Sequence, residues 1–144
     1  GAQAPEVEVD EVTGETRVLN FWAAHDVGRA INTGGVRGQV TGGVAQGIGF
    51  ALYEDLVFDN GRPANPTFMD YKIPGAHELP EIEAIIVENP EPSHPFGVRG
   101  VGEPPIVGVA PAIANAIANA CGARVRRLPM TPESVLNALD VLGA

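Results

Sequence analysis

The sequence is short of cysteine, of positive charge and of uninterrupted apolar stretches, and each shortage removes a class of function. A single cysteine, Cys121, allows no disulfide framework within the chain. A reducing, cytoplasmic setting is the expectation. Nine Lys and Arg stand against 18 Asp and Glu, a formal net charge of -9. A nucleic-acid surface needs clustered basic residues, so no nucleic-acid partner is expected. No apolar run reaches the roughly 20 residues that cross a bilayer, so no membrane span is expected. The first ten residues, Gly1 to Asp10, are acidic and lack the basic start and apolar stretch of a signal peptide. They open in the middle of what reads as a strand, as expected for a piece of something longer.

Several catalytic signatures are missing too. No Gly-Lys pair occurs, which excludes a Walker-type phosphate loop. Ser93 and Ser134 are the only serines, and neither sits in a Gly-x-Ser-x-Gly elbow. His25, His77, His94 and Cys121 are scattered rather than paired at zinc spacing, so no protein-ligated metal is expected. Gly97, Gly100 and Gly102 have the wrong order for a dinucleotide fingerprint and follow a Pro-rich loop.

What is present points to a folded domain. Hydrophobic residues make up 44% of the chain and charged ones 19%, so it should bury a core rather than stay disordered. Its 144 residues suit one domain, 1–144. Val7, Val9 and Val12 among acids read as an exposed strand, and Thr13–Thr16 as a turn. Arg17–Ala24 completes a hairpin. The turn formers Asp26, Gly28 and Asn32 end that run. Val40, Val44, Ile48 and Leu52 recur at every fourth position of Gly34–Glu54, which predicts a helix. Many glycines interrupt it, each costing about 1 kcal/mol against alanine. Something large should therefore lie against its bare backbone, either another helix or a ligand.

Leu56–Phe58 and Glu81–Glu88 read as strands, and Asn65–Pro74 as a loop. Residues 89–96 form a Pro-rich connector. Gly97–Ala120 is a Gly-rich turn running into an Ala-rich helix, kinked or started at Pro111 and ended by Gly122. Gly97, Gly100 and Gly102 are expected to take positive φ or approach a neighbour closely. Arg124–Arg126 reads as a short strand. Thr131-Pro132 caps a last helix with Val135, Leu136, Leu139 and Leu142 on its apolar face. Strands and helices do not alternate regularly, so the fold class is α+β: a mixed sheet with a Gly-rich, an Ala-rich and a C-terminal helix.

Glu103 stands out. The Gly-rich turn delivers it to the mouth of an apolar helix, and Pro104 and Pro105 fix the backbone behind it. Such a carboxylate is either an N-terminal cap, which the helix dipole favours, or a catalytic base. Gln46 is the main polar side chain on the Gly-rich helix, two turns from Gly38 and Gln39.

The order of motifs brings a resemblance. Gly38-Gln-Val-Thr-Gly-Gly-Val-Ala-Gln-Gly-Ile-Gly-Phe-Ala-Leu, followed later by Phe96-Gly-Val-Arg-Gly-Val-Gly-Glu-Pro-Pro, resembles the molybdenum-binding large subunit of the xanthine dehydrogenase and aldehyde oxidase family. His25-Asp-Val-Gly-Arg-Ala-Ile-Asn, Met69-Asp-Tyr-Lys-Ile-Pro and Ala118-Asn-Ala-Cys-Gly-Ala-Arg-Val match in order as well. The likeness covers nearly the whole chain and is to the C-terminal end of that subunit.

The resemblance implies an enzyme in which a molybdenum centre, held by a pyranopterin dithiolene, hydroxylates an electron-poor carbon with water-derived oxygen. Glu103 falls at the position of the base, and Gln46 beside the pterin. Gly42, Gly43, Gly47, Gly100 and Gly102 belong to the implied cofactor surface. Arg99, where xanthine-type members often carry lysine, is implied as substrate or electrostatic support. Electrons would leave through iron–sulfur clusters and FAD on partner domains or subunits. Substrate class stays open among aromatic heterocycles, purines and aldehydes, as does a cytosine dinucleotide form of the cofactor. The family's subunit is several times longer, so the chain is expected to be a C-terminal fragment or one subunit of a split enzyme, inactive alone. The other reading is a non-catalytic domain that keeps the fold for packing against partner subunits.

Overall fold

The computed structural model describes residues 1–143, with side chains through Asp140. Two strands, β1 (Ala2–Val9) and β2 (Thr16–Asp26), form the expected antiparallel hairpin. Alternation along β2 sends Val18, Phe21 and Ala23 inward, with a register shift at Glu6/Val7. Val12 lies in the turn, 88% exposed, rather than on the strand. Strand β5 (Glu81–Val87) pairs parallel to β2, Asn20 opposite Glu81 and Asp26 opposite Val87. The sheet is therefore mixed, in the order β1-β2-β5.

Parallel neighbours need a crossover, and helix α1 (Thr33–Leu52) lies within it. Asn32 caps α1 by accepting from the Gly35 N–H at 2.9 Å. Val40, Val44 and Ile48 are fully buried and Leu52 nearly so, as their spacing requires. Each such burial stabilises by about 1.5–3 kcal/mol, more than each glycine costs the helix.

The hairpin β3 (Phe58–Asp59) and β4 (Arg62–Pro63) turns at Asn60-Gly61, both at positive φ, 47° and 79°. The expected strand at Leu56–Phe58 thus shrinks to its last residue. The Asn65 side chain takes the Val57 N–H instead.

Helix α2 (Pro104–Val107) and helix α3 (Val109–Cys121) follow the Gly-rich turn. The break falls at Gly108, not at Pro111. Pro111 sits in the first turn of α3, where a backbone N–H has no helical partner to lose. Gly122 ends α3 at φ 84°, a left-handed stop. No strand forms at Arg124–Arg126, which has no strand beside it to pair with. Thr131 caps α4 (Pro132–Gly143) through the Ser134 N–H, and Val135 is buried. The expected packing of Leu142 lies outside the described side chains.

The 18 residues Pro104–Cys121 have a mean hydropathy of 1.3, long and apolar enough to cross a membrane by length and composition alone. The segment is split at Gly108 and buries Val109, Ile113 and Ile117 in the core.

Helix α1 meets α2 and α3 closely. An added Cβ on Gly43 would lie 2.8 Å from the Pro105 Cβ, and one on Gly47 2.5 Å from the Val109 Cβ. Gly38 and Gly42, on the same helix, have nothing within 4 Å of that position. Opposite effects are expected. Gly47→Ala should destabilise by about 1–3 kcal/mol through overpacking. Gly38→Ala should stabilise by up to about 1 kcal/mol through propensity. Urea unfolding of both variants checks this; equal effects would mean the helices do not meet at Gly47.

Candidate active site

A cleft of ≈ 460 Å³ opens between α1 and α2. Gly38, Gln39, Gly42, Gly43 and Gln46 line one wall, and Gly102, Glu103, Ile106 and Val107 the other. The α1 residues share a face because they repeat every three or four positions. Their neighbours Val40 and Val44 point into the core, so burying one stripe of α1 turns the glycine stripe toward α2.

Glu103 occupies the cap position of α2 but does not cap it. Its ψ is -23°, already helical, whereas a capping residue is extended. The next two residues are Pro104 and Pro105, which have no N–H to offer. The Ile106 N–H goes to the backbone carbonyl of Glu103 at 3.0 Å. The carboxylate makes no cap hydrogen bond and stands exposed in the cleft, the only ionisable group among its lining residues.

Other candidate residues fall differently. Gly42, Gly43, Gln46 and Gly102 line the cleft with Glu103. Gly47 does not: it is buried under Val109, so its bare backbone serves helix packing rather than a ligand. Gly100 borders open space but is not among the lining residues. Neither Gly100 nor Gly102 has the expected positive φ; Gly97 does, at 72°. Phe96 before it also has φ 58°, a strained conformation for an aromatic residue.

Arg99 is not in the cleft wall. Its Nη2 lies 3.2 Å from a Glu91 carboxylate oxygen, and its Nε 3.4 Å from Asp26. The guanidinium expected to support substrate instead ties the Gly-rich turn to the end of β2. Sequence reasoning also missed Gln39, Ile106 and Val107 as cleft residues. Gln39 had a signal, its spacing of seven from Gln46. Ile106 and Val107 had none, because their placement depends on the helix break at Gly108.

A fourth missed residue is Gln3 on β1. Its amide nitrogen donates to the Pro105 carbonyl at 2.5 Å and to Nε2 of His25 at 3.1 Å. His25 must then carry its proton on Nδ1. Burial, with a smaller contribution from the Gly1 amino group, holds the His25 pKa below its ordinary value. Gln3 Oε1 is buried with no partner.

The cleft fits a flat, polar-edged ring system. A Cβ at Gly38 or Gly42 would project into open space. Without one, a planar ligand can lie against the backbone. The carboxamides of Gln39 and Gln46 offer donors and acceptors to its edges. These residues could hold a pterin-type cofactor, with the Glu103 carboxylate facing whatever lies between the walls.

An α+β domain with such a cleft is the architecture of a cofactor-binding domain, and comparison with known proteins identifies which. Residues 1–80 match the model of the molybdopterin cofactor-binding domain. The chain belongs to that family. It is 40% identical over 141 residues to the 6-hydroxypseudooxynicotine dehydrogenase complex subunit gamma of Paenarthrobacter nicotinovorans, covering 95% of this chain and 18% of that protein. It is 40% identical over 129 residues to a putative xanthine dehydrogenase molybdenum-binding subunit of Escherichia coli K12, covering 88% of this chain and 17% of that protein. Quinoline 2-oxidoreductase from Pseudomonas putida 86 superposes with a TM-score of 0.86 at 35% identity, over 93% of this chain and 18% of its own. The chain thus spans less than a fifth of the length of the relatives it matches.

The hydrogen-bonded carboxylates that meet Arg99 carry a pH dependence. The Gly28 N–H, then the Asn89 N–H and Arg99, hold Asp26 below its usual value. The Ser93 hydroxyl and N–H, then Arg99, do the same for Glu91. A folded pKa below the unfolded one stabilises above the unfolded value, and that contribution is lost as pH falls through the folded value. Carbon-13 NMR titration should place both midpoints below about 3.9 for Asp26 and about 4.3 for Glu91. Midpoints at or above those values would mean the pairs do not persist in solution.

Proposed function

We propose that this chain is part of a molybdenum hydroxylase, with Glu103 as its active-site base. The substrate is an aromatic heterocycle, a purine or an aldehyde, and the added oxygen derives from water. One observation carries the reading. The cleft's sole ionisable side chain is a carboxylate stripped of capping donors, facing a bare helix with two carboxamides. The molybdenum–pyranopterin group, when bound, supplies a two-electron acceptor beside the substrate.

The chain's own residues do the rest. Gly38 and Gly42 leave room for the planar cofactor, and Gln46 and Gln39 hydrogen-bond its polar edge. Glu103 Oε accepts the proton released as oxygen is transferred. Pro104 and Pro105 limit the backbone on one side of it. Ile106 and Val107 make the apolar rim that keeps water from the carboxylate once the rest of the subunit closes over it.

The remaining parts lie elsewhere. The remainder of the molybdenum subunit completes the pocket. Iron–sulfur clusters and FAD on partner domains or subunits carry electrons away. The relative named as subunit gamma of a dehydrogenase complex supports such an assembly. The cofactor is a pyranopterin with or without a cytosine nucleotide. The unit 1–144 contributes as a single domain.

Two substitutions in the complete enzyme test this. Glu103→Gln should keep molybdenum and pterin content at the wild-type level and lower kcat by roughly 10²–10⁴-fold, the range typical of a lost general base. Gly42→Leu should instead lower cofactor content. Turnover above a few per cent in Glu103→Gln would leave this domain a non-catalytic, structural role.

A further inference from the structure

We propose that Arg99 and Gln3 are positioning residues for Glu103, two side-chain tethers that hold a glycine-hinged span from both ends. The proposal rests on the base reading of Glu103. The span is Gly100-Val101-Gly102. Neither of its glycines has positive φ, and neither has an atom within 4 Å of where a Cβ would sit. Nothing in the packing of this chain requires glycine there. Each glycine raises the entropy lost on ordering. Val101 between them packs against the core, so the glycines on either side are where the span can turn, and what holds its two ends sets where the base points.

The first tether is Arg99. Its N–H donates to the Val27 carbonyl at 2.9 Å. Its side chain reaches Asp26 at 3.4 Å, Glu91 at 3.2 Å and the Asn89 carbonyl at 3.4 Å. The carboxylates are themselves oriented: Asp26 accepts from the Gly28 N–H at 2.9 Å, and Glu91 from the Ser93 hydroxyl at 2.8 Å. One guanidinium fork therefore joins β2, the loop after β5 and the connector to the start of the span.

The second tether is Gln3. It grips the Pro105 carbonyl, two residues past Glu103, and is itself held by His25. Its Oε1 is left buried without a partner, a cost that an apolar residue would not carry. The amide is therefore better explained by what its nitrogen holds than by stability.

Magnitude separates positioning from stabilisation. Partly exposed ion pairs such as those of Arg99 contribute little to stability. Misplacing a catalytic group by 1 Å costs on the order of 10²-fold in rate. Loss of the Arg99 tether should therefore scarcely move unfolding, and loss of either tether should strongly lower kcat.

The experiment compares Arg99→Gln, Arg99→Lys, Gln3→Met and Glu103→Gln in the complete, cofactor-loaded enzyme. Arg99→Gln and Gln3→Met should each lower kcat roughly 10–100-fold. KM and molybdenum content should stay within twofold, and the acid limb of the pH profile should not move. Arg99→Lys should recover part of the loss, because it keeps one ion pair. Amide hydrogen exchange across 100–103 should quicken several-fold in both tether variants, with or without cofactor. A kcat within twofold of wild type in either variant overturns the proposal. So does a rise in KM at constant kcat for Arg99→Gln, which would make Arg99 a substrate contact, or metal loss in proportion to activity. Active tether variants beside a dead Glu103→Gln sink the tethers alone. Surviving turnover in Glu103→Gln sinks the base reading and the tethers with it.

Discussion

The structure depends on how closely the backbone of α1 lets α2 and α3 approach. At Gly43 and Gly47 no side chain would fit between the helices, because Pro105 and Val109 already occupy that space. This contact sets the position of α2, and α2 carries Glu103 at its head. Further toward the start of α1 the same stripe of glycines is uncovered. The cleft begins where Pro105 stops covering that stripe, so one helix face is core at Gly47 and cleft wall at Gly42 and Gly38.

That division explains how a helix so rich in glycine persists. The buried stripe of Val40, Val44 and Ile48 offsets the propensity cost, since one fully buried Val or Ile outweighs one or two glycines. The uncovered glycines return nothing to the stability of this chain. Their cost is carried by the core for the sake of a surface that only a ligand or a neighbouring segment can use. The glycine-hinged turn that carries Glu103 beside that surface is flanked by contacts from Gln3 on β1 and from Asp26 at the end of β2.

Much of this was legible in the sequence. Apolar residues at every fourth position marked α1, alternation marked the hairpin, and Gly122 and Thr131-Pro132 marked helix ends, because each is a local consequence of backbone geometry. The order of the glycine motifs identified the family. What stayed hidden was non-local. Gly42 and Gly47 look alike in sequence, and only the approach of α3 separates a ligand face from a packing face. Arg99 looked like a cation for the site because its partners, Asp26 and Glu91, are distant or uninformative in sequence. Gln3 looked like one more position on an exposed strand. Its importance depends on where the Pro105 carbonyl ends up, and that follows from the break at Gly108.

Glu103 shows how a local rule can be read further than its usual form. A carboxylate before a helix is ordinarily a cap, because the first N–H groups need an acceptor. Here two prolines remove the first two donors, and the third is taken by the backbone of Glu103 itself. The helix leaves its own carboxylate nothing to bind. The same prolines that appeared to support a cap therefore make a cap impossible. Among the described residues the carboxylate has no hydrogen-bond or ion-pair partner, and it stands open to whatever enters the cleft between α1 and α2.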